Sequence, residues 1–303
     1  MTRHTILDGI GNTPLIEVDG IWAKLEYLNP SGSIKARVAK YMIDRAEQEG
    51  LLRPGDTIVE ASSGNTGNAL AMVAAVKGYR MLVVMPRGMS SERAAISRAF
   101  GADVLLVGDF HVSAAREKAR SLGRQKGYFC PAQFDNEWNV EENRVWLGPE
   151  ILGQLPAGVT PDLLVAGVGT GGTLIGVGQA FRAVRPDVRL VGVEPDESCT
   201  ICCGEVGRHQ IEGIADGFVP TLFARHRHEV DDVVAVSSAE AIEAMRYLIC
   251  RHGLFVGPSS GAHFAVAQRL RTSHADLGCV VTLFCDEGEK YLSEHFPMGA
   301  PAA

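Results

Sequence analysis

The chain has 303 residues, 46% hydrophobic and 21% charged, the composition of an ordinary globular protein with enough apolar material for one large or two smaller domains. A formal charge of −7 with no clustered run of Lys and Arg argues against a nucleic-acid partner. No segment approaches the roughly 18 apolar residues of a membrane span, and the opening MTRHTILDGIGNTPLIEV lacks an apolar signal core, so a cytoplasmic protein away from membranes is expected.

The first informative stretch is NPSGSIKARVAK, Asn29 to Lys40. It sets Lys35 between a Gly/Ser turn and a helix expected over 34–49, whose apolar face is Val38, Ala39, Met42, Ile43 and Ala46 and which Gly50 ends. Taken alone, this lysine reads either as a solvated charge or as an active-site amine. The strand DTIVEA (56–61) runs through EASSGNTGNAL, Glu60 to Leu70, into a helix over 65–77 closed by Gly78. N–H groups at such a helix start, with hydroxyls beside them, suit a carboxylate or phosphate. Strands RMLVVMP (80–86) and ADVLLVG (102–108) follow, with helices expected over 90–100 and 112–126. The polar and aromatic QFDNEWNVEENRVWLGPE has no strand character and leads into a helix over 142–154.

Next, DLLVAGVG (162–169) enters AGVGTGGTLIG, Ala166 to Gly176, and a helix over 172–185. Gly169, Gly171 and Gly172 let the backbone approach a ligand closely, and Thr170 and Thr173 add hydroxyls, so phosphate is the natural guest. The same loop spells G-x-G-x-x-G through Gly167, Gly169 and Gly172, and Glu194 closes the next strand, RLVGVEP (189–195). On that loop alone an NAD(P) dehydrogenase stays open. SCTICCG clusters Cys199, Cys202 and Cys203; no second Cys/His pair stands at zinc-site spacing, so free thiols and no metal are expected. Cys130, Cys250, Cys279 and Cys285 read as buried thiols. The chain closes with strands DVVAVS (232–237) and CVVTLFCDEG (279–288) and helices over 238–252, capped by Ser237, and 260–272. Before that last helix, Ser259 and Ser260 suit capping, ligand contact or both.

Continuous apolar strands alternating with helices predict two open, mainly parallel α/β sheets, in blocks 1–140 and 141–303, with residues about 10–28 able to pack on the second block. Ligands of such sheets bind beyond the carboxyl ends of the strands, here in the cleft between the blocks. A loop lysine, an Asn/Ser/Thr loop, a Gly/Thr cup and a late serine are together the parts that an aldehyde cofactor bearing a phosphate requires, which points to pyridoxal 5'-phosphate.

GNTPL (11–15), AKLEYLNPSGSIK (23–35), SSGNTG (62–67), GTGGT (169–173), GFVP (217–220), PSSGA (258–262) and DEGEKYL (286–292) occur in the order found in one family. Along nearly its whole length the sequence resembles the cysteine synthase (O-acetylserine sulfhydrylase) and cystathionine β-synthase family, pyridoxal-phosphate enzymes of fold type II, built like the tryptophan synthase β chain. The resemblance implies that Lys35 is the Schiff-base lysine and the base for the α-proton. It further implies that Asn65 contacts the ring hydroxyl oxygen, Gly169, Thr170, Gly171, Gly172 and Thr173 cup the phosphate, and Ser259 meets the pyridine nitrogen. Ser62, Ser63, Thr66 and Gln133 would receive the substrate carboxylate. A hydroxyl does not keep the ring nitrogen protonated as a carboxylate would, which favours loss of a β-substituent over racemisation. The implied reaction is β-replacement through an α-aminoacrylate, O-acetyl-L-serine and sulfide giving L-cysteine and acetate. Cystathionine formation, elimination from serine or cysteine, and diaminopropionate-type replacement with a nitrogen nucleophile are alternatives within the fold. A homodimer, and docking of the C-terminal tail of serine acetyltransferase, are implied as well. Departures from the family pattern are Ala36 where an acid is usual, Ser62 where threonine is common, a short segment before AKLE, and NEWN after the glutamine loop. Glu212 and Asp216 make the region near the entrance acidic, which argues against a phosphorylated serine donor.

Overall fold

The computed structural model describes residues 4–88, 91–108, 112–274 and 276–296. The expected first residue of the third helix, Ser90, lies outside them. The chain opens with a hairpin, β1 (Leu15–Val18) and β2 (Ile21–Leu25), then runs through α1 (Lys35–Gln48), β3 (Thr57–Ala61), α2 (Asn65–Lys77), β4 (Arg80–Pro86), α3 (Ser91–Ala99), β5 (Asp103–Val107), α4 (Val112–Gly123) and β6 (Tyr128–Phe129). A continuous helical run follows: α5 (Trp138–Glu142), a π-helical segment (Asn143–Leu147) and α6 (Gly148–Gln154). The rest is β7 (Leu163–Gly167), α7 (Gly172–Arg182), β8 (Arg189–Pro195), α8 (Thr221–His226), β9 (Asp232–Val236), α9 (Ser238–His252), α10 (Pro258–Ser273), β10 (Val280–Phe284) and α11 (Leu292–His295).

The strands form two sheets, ordered β5-β4-β3-β6 and β1-β2-β10-β7-β8-β9. Every pairing is parallel except β1 with β2, so the fold is the mainly parallel α/β arrangement that the strand character predicts. The larger sheet takes its first two strands from the start of the chain, and β2 lies beside β10. That hairpin turns on Asp19 and Gly20, whose φ angles of 49° and 77° are the two positive values of a type I′ turn.

Burial on both faces explains the uninterrupted apolar strands. In β7, Leu163 and Val165 join the core with α9 and α10, while Leu164 and Ala166 join the core with α6 and α7. In β3, Ile58 packs towards α1 and α2, and Val59 and Ala61 pack towards α4. Val38, Ala39, Met42, Ile43 and Ala46 are buried on α1, as its spacing predicts, and Ala36 is buried in one apolar cluster with Ala39, Ile43 and Ala46, surroundings that disfavour an acid. Ser237 caps α9 by accepting from the Glu240 N–H.

Beneath α1 lies a buried ion cluster. Arg37, with no exposed surface, donates to both carboxylate oxygens of Glu26 (2.7 and 2.8 Å) and of Glu150 (2.8 and 2.7 Å). Lys24 donates to Glu150 at 2.5 Å and to the Thr13 carbonyl, also at 2.5 Å. Asn29 and Thr13 donate to Glu26 at 2.7 and 2.6 Å. The hairpin, the turn before α1, α1 and α6 are thereby fastened at one point.

Removing one partner of such a cluster strands the others in the interior. Arg37→Met is expected to destabilise the protein by about 3–5 kcal/mol, read from the urea midpoint. Burial pushes the Glu150 carboxyl up, but hydrogen bonds from Arg37 and Lys24 outweigh it and hold the group at about 2, below its ordinary 4.5. The stabilisation from Glu150 is therefore complete above pH 4.5 and is lost as pH falls through about 2. Urea midpoints measured across this range will show that acid limb in the wild type and a limb shifted to higher pH in Arg37→Met.

Candidate active site

Lys35 is the first residue of α1 and is half-buried. The turn before it is held from the far end of the chain: Lys290 donates to the carbonyls of Ser31 (2.8 Å) and Gly32 (2.9 Å), and the Ile34 N–H donates to the Cys285 carbonyl (2.8 Å). Arg37, two residues on, points into the ion cluster and does not line the cavities that Lys35 lines.

The loop from β3 to α2 is shaped by its own side chains. Ser62 Oγ accepts from the N–H groups of Gly64 (3.0 Å) and Gly67 (2.9 Å), which folds the turn. Thr66 donates to Gln133 Oε1 at 2.6 Å, and Gln133 Nε2 donates to the Ala61 carbonyl at 2.9 Å. Glu60 accepts from the backbone N–H groups of Gln133 and Ala61, and burial pushes its carboxyl up to about 7. The Asn65 amide is set at both ends: Nδ2 donates to Asp286 (2.7 Å) and Oδ1 accepts from Lys290 (2.9 Å). Tyr291 donates to the same Asp286 carboxylate, whose pKa burial raises.

At the second loop, glycine is required by close approach. Gly171 caps α7 with φ +86°, and a Cβ on Gly169 would lie 2.5 Å from the Gly213 carbonyl oxygen. A Cβ on Gly172 would run into the Asn139 amide, which also donates to Thr170 Oγ1 at 3.0 Å. The result is a groove of bare backbone at the start of an eleven-residue helix, a natural anion site.

These loops meet. Lys35, Ser62, Ser63, Asn65, Thr66, Gln133, Gly169 and Thr170 line one cavity. Lys35, Asn65, Gly169, Thr170, Gly171, Thr173 and Ser259 line the one beside it. Of the residues that the family resemblance assigns to the site, Gly172 alone lines neither, because it packs on Asn139. Ser259 and Ser260 do not cap α10: Gly257 stands at the cap with Pro258 at the first helical position, and Ser260 Oγ accepts from the Cys285 N–H at 2.9 Å. Ser259 lines the cavity that Lys35 also lines.

Glu194 closes β8 buried, accepting from the N–H groups of Ile201 (2.8 Å) and Cys202 (3.0 Å). It braces the cysteine loop rather than facing the glycine groove, so the dinucleotide reading fails. The loop itself differs from the free thiols expected, because Cys199 and Cys203 are joined as a disulfide and Cys202 remains free. Cys250, expected buried, is exposed on α9.

The site opens into a cavity of about 540 Å³, which shares Ser63, Arg93, Glu212 and Asp216 with it. The Arg93 guanidinium lies 3.7 Å from Glu294 and 4.0 Å from Glu212, over the ring of Tyr291. Burial pushes the Asp216 carboxyl up, opposed by His209, Lys35 and Arg93. Arg93 gave no signal in the sequence, where one arginine in SSERAAISRA reads as a solvated helix face. Tyr291, within DEGEKYL, and Asn139, at the end of NEWN, have no role assigned from the sequence.

An amine, an anion groove that side chains would fill, and a neutral hydroxyl in one cavity fit pyridoxal phosphate. The comparisons agree. Residues 6–286 match the family model described as pyridoxal-phosphate dependent enzyme. The cysteine synthase of Staphylococcus aureus (strain Mu50 / ATCC 700699) is 40% identical over 293 residues, covering 94% of each chain. The O-ureido-L-serine synthase of Streptomyces lavendulae is 41% identical over 299 residues, covering 96% of this chain and 91% of that one. A crystal structure of O-ureido-L-serine synthase superposes with a TM-score of 0.92 at 38% identity, covering 100% of this chain and 98% of that one.

Gly169→Ala is expected to weaken pyridoxal-phosphate binding about tenfold or more, since its methyl would press on backbone. Gly153→Ala on α6, where a Cβ meets nothing within 4 Å, is the control and should bind as wild type. Fluorescence titration of the apoprotein measures both.

Proposed function

The chain belongs to the pyridoxal-phosphate dependent enzymes, of fold type II, and we propose that within this family it replaces the β-substituent of an activated L-serine, converting O-acetyl-L-serine and sulfide to L-cysteine and acetate. The observation that carries this reading is the shared cavity: the Lys35 amine stands between a backbone anion groove and a loop of hydroxyl and amide groups. In this reading Lys35 anchors the cofactor, Gly169 to Thr173 hold its phosphate, Asn65 meets its ring hydroxyl and Ser259 its ring nitrogen. When bound, the cofactor supplies an electron sink beside the substrate Cα.

The chain's own groups do the rest. Ser63 offers a hydroxyl, and Gln133 the remaining N–H of its amide, to the substrate carboxylate. Thr66 donates its own O–H to Gln133 Oε1 and so holds that amide rigidly in place. Lys35 Nζ would take the proton from the substrate Cα. Ser259 is a neutral partner for the ring nitrogen, which favours departure of the β-substituent.

A larger nucleophile is the second reading. Sulfide needs little room, whereas the adjoining cavity of about 540 Å³ accommodates an amino-acid or hydroxyurea-sized partner, and similarity to an O-ureido-L-serine synthase supports it.

Borohydride treatment is expected to fix the cofactor at Lys35 in the wild type and at no residue in Lys35→Ala. That variant should lose about 10³-fold or more of the β-replacement rate. A panel of sulfide, homocysteine, cysteine, hydroxyurea and amines, each with O-acetylserine, then ranks the nucleophiles by kcat/KM. Sulfide ranking first supports cysteine synthesis, and any other leader selects the second reading.

A further inference from the structure

His263 lies on α10, one turn beyond Ser259, and lines the same cavity as Lys35 and the glycine groove. It is 2% exposed. Its Nδ1 sits 2.8 Å from the Leu283 carbonyl oxygen. A carbonyl only accepts, so Nδ1 carries the proton, and Nε2 is free to accept the Gly167 N–H at 2.6 Å. Both ring nitrogens are therefore committed, and burial pushes the imidazole down to about 4, so it is neutral at physiological pH.

The two backbone groups belong to different halves of the site. Gly167 ends β7, two residues before Gly169. Leu283 is on β10, two residues before Cys285, whose carbonyl accepts the N–H of Ile34, the neighbour of Lys35. The ladder between β7 and β10 stops at Val165 opposite Thr282. Beyond that point the strand ends part, and the imidazole stands between them. A Cβ on Gly167 would lie 2.5 Å from Nε2, so the close approach depends on glycine there as well.

We propose that His263 is a positioning residue that sets the phosphate groove relative to Lys35 by bridging the parted ends of β7 and β10. The proposal rests on the reading that Gly169 to Thr173 take the cofactor's phosphate. Its consequence is specific. Loss of the bridge should weaken binding of the phosphate more than binding of the pyridine ring, whose contacts come from Lys35, Asn65 and Ser259.

The test is full-length apoprotein titrated with pyridoxal 5'-phosphate and with unphosphorylated pyridoxal, followed by quenching of protein fluorescence. His263→Asn keeps an amide N–H near Nδ1 for Leu283 but gives up the acceptor for Gly167. His263→Gln reaches the Nε2 position with an amide oxygen but gives up the donor to Leu283. The wild type should prefer the phosphorylated form strongly, and each variant, having broken one end of the bridge, should lose about tenfold or more of that preference. Equal ratios in all three proteins, or equal weakening of both ligands in both variants, would reduce His263 to a core residue and overturn the proposal. A wild type indifferent to the phosphate would instead overturn the groove reading, and the bridge with it, so the two failures are told apart.

Discussion

The site depends first on a cation that takes no part in it. Arg37 stands two residues from Lys35, wholly buried, with its guanidinium divided between Glu26 and Glu150. A buried arginine is tolerable only when its donors are met, and the planar fork of Arg37 meets two carboxylates at once. Those carboxylates come from the turn after β2 and from α6, so satisfying Arg37 fixes the start of α1 against elements distant in sequence. Lys24 shares the Glu150 carboxylate with Arg37. Lys35 inherits its position from this cluster, whose charges are consumed internally and leave the amine to face the cleft.

The same logic is repeated at the other end of the chain. Lys290 and Asp286 are buried, and between them they hold both sides of Asn65 and the carbonyls of the Ser31–Gly32 turn. The C-terminal segment thus holds the loop that carries Lys35 and the loop that carries Asn65 in one hydrogen-bonded set. Buried polar groups specify geometry more sharply than apolar packing does, because each misplacement leaves a donor or acceptor unmet. That explains why residues 286–292 belong with the site although hardly any of them lines it.

Most of the strand and helix pattern was legible because parallel strands covered on both faces carry continuous apolar runs, as β3, β4, β7, β8 and β10 do. The hairpin β1–β2 was also legible in principle. Asp19-Gly20 between LIEV and IWAKL is a strong two-residue turn signal, masked by strands only four and five residues long. Lys35, the Asn65 loop and the glycine groove were readable because glycines and small hydroxyl residues at a strand-to-helix turn have few other uses. What stayed hidden was whatever needs a partner distant in sequence. Nothing adjacent to Ser259 shows that Gly257 and Pro258 already begin the helix and free the hydroxyl. Nothing near Glu194 shows that the cysteine loop folds back onto its carboxylate, and SCTICCG does not announce a pairing of Cys199 with Cys203. Arg93 and His263 carry no readable signal until the facing strands and acids are in place.

The two halves of the site are made of different material, and that divides anchoring from selectivity. The groove is backbone, kept bare by glycines whose extra carbons would strike Gly213, Phe223 or Asn139, and it has little freedom to change its guest. The adjoining cavity is lined by side chains, Arg93 on α3 and Glu212 and Asp216 on the loop before α8 among them, and the loop residues can be exchanged without disturbing a strand or a helix. A fold built this way keeps one cofactor while its nucleophile varies. Relatives of about 40% identity can therefore share the groove and be named for different products. If the adjoining cavity takes the nucleophile, as proposed, then Glu212 and Glu294, which face the Arg93 guanidinium, narrow what charge a second substrate can bring in.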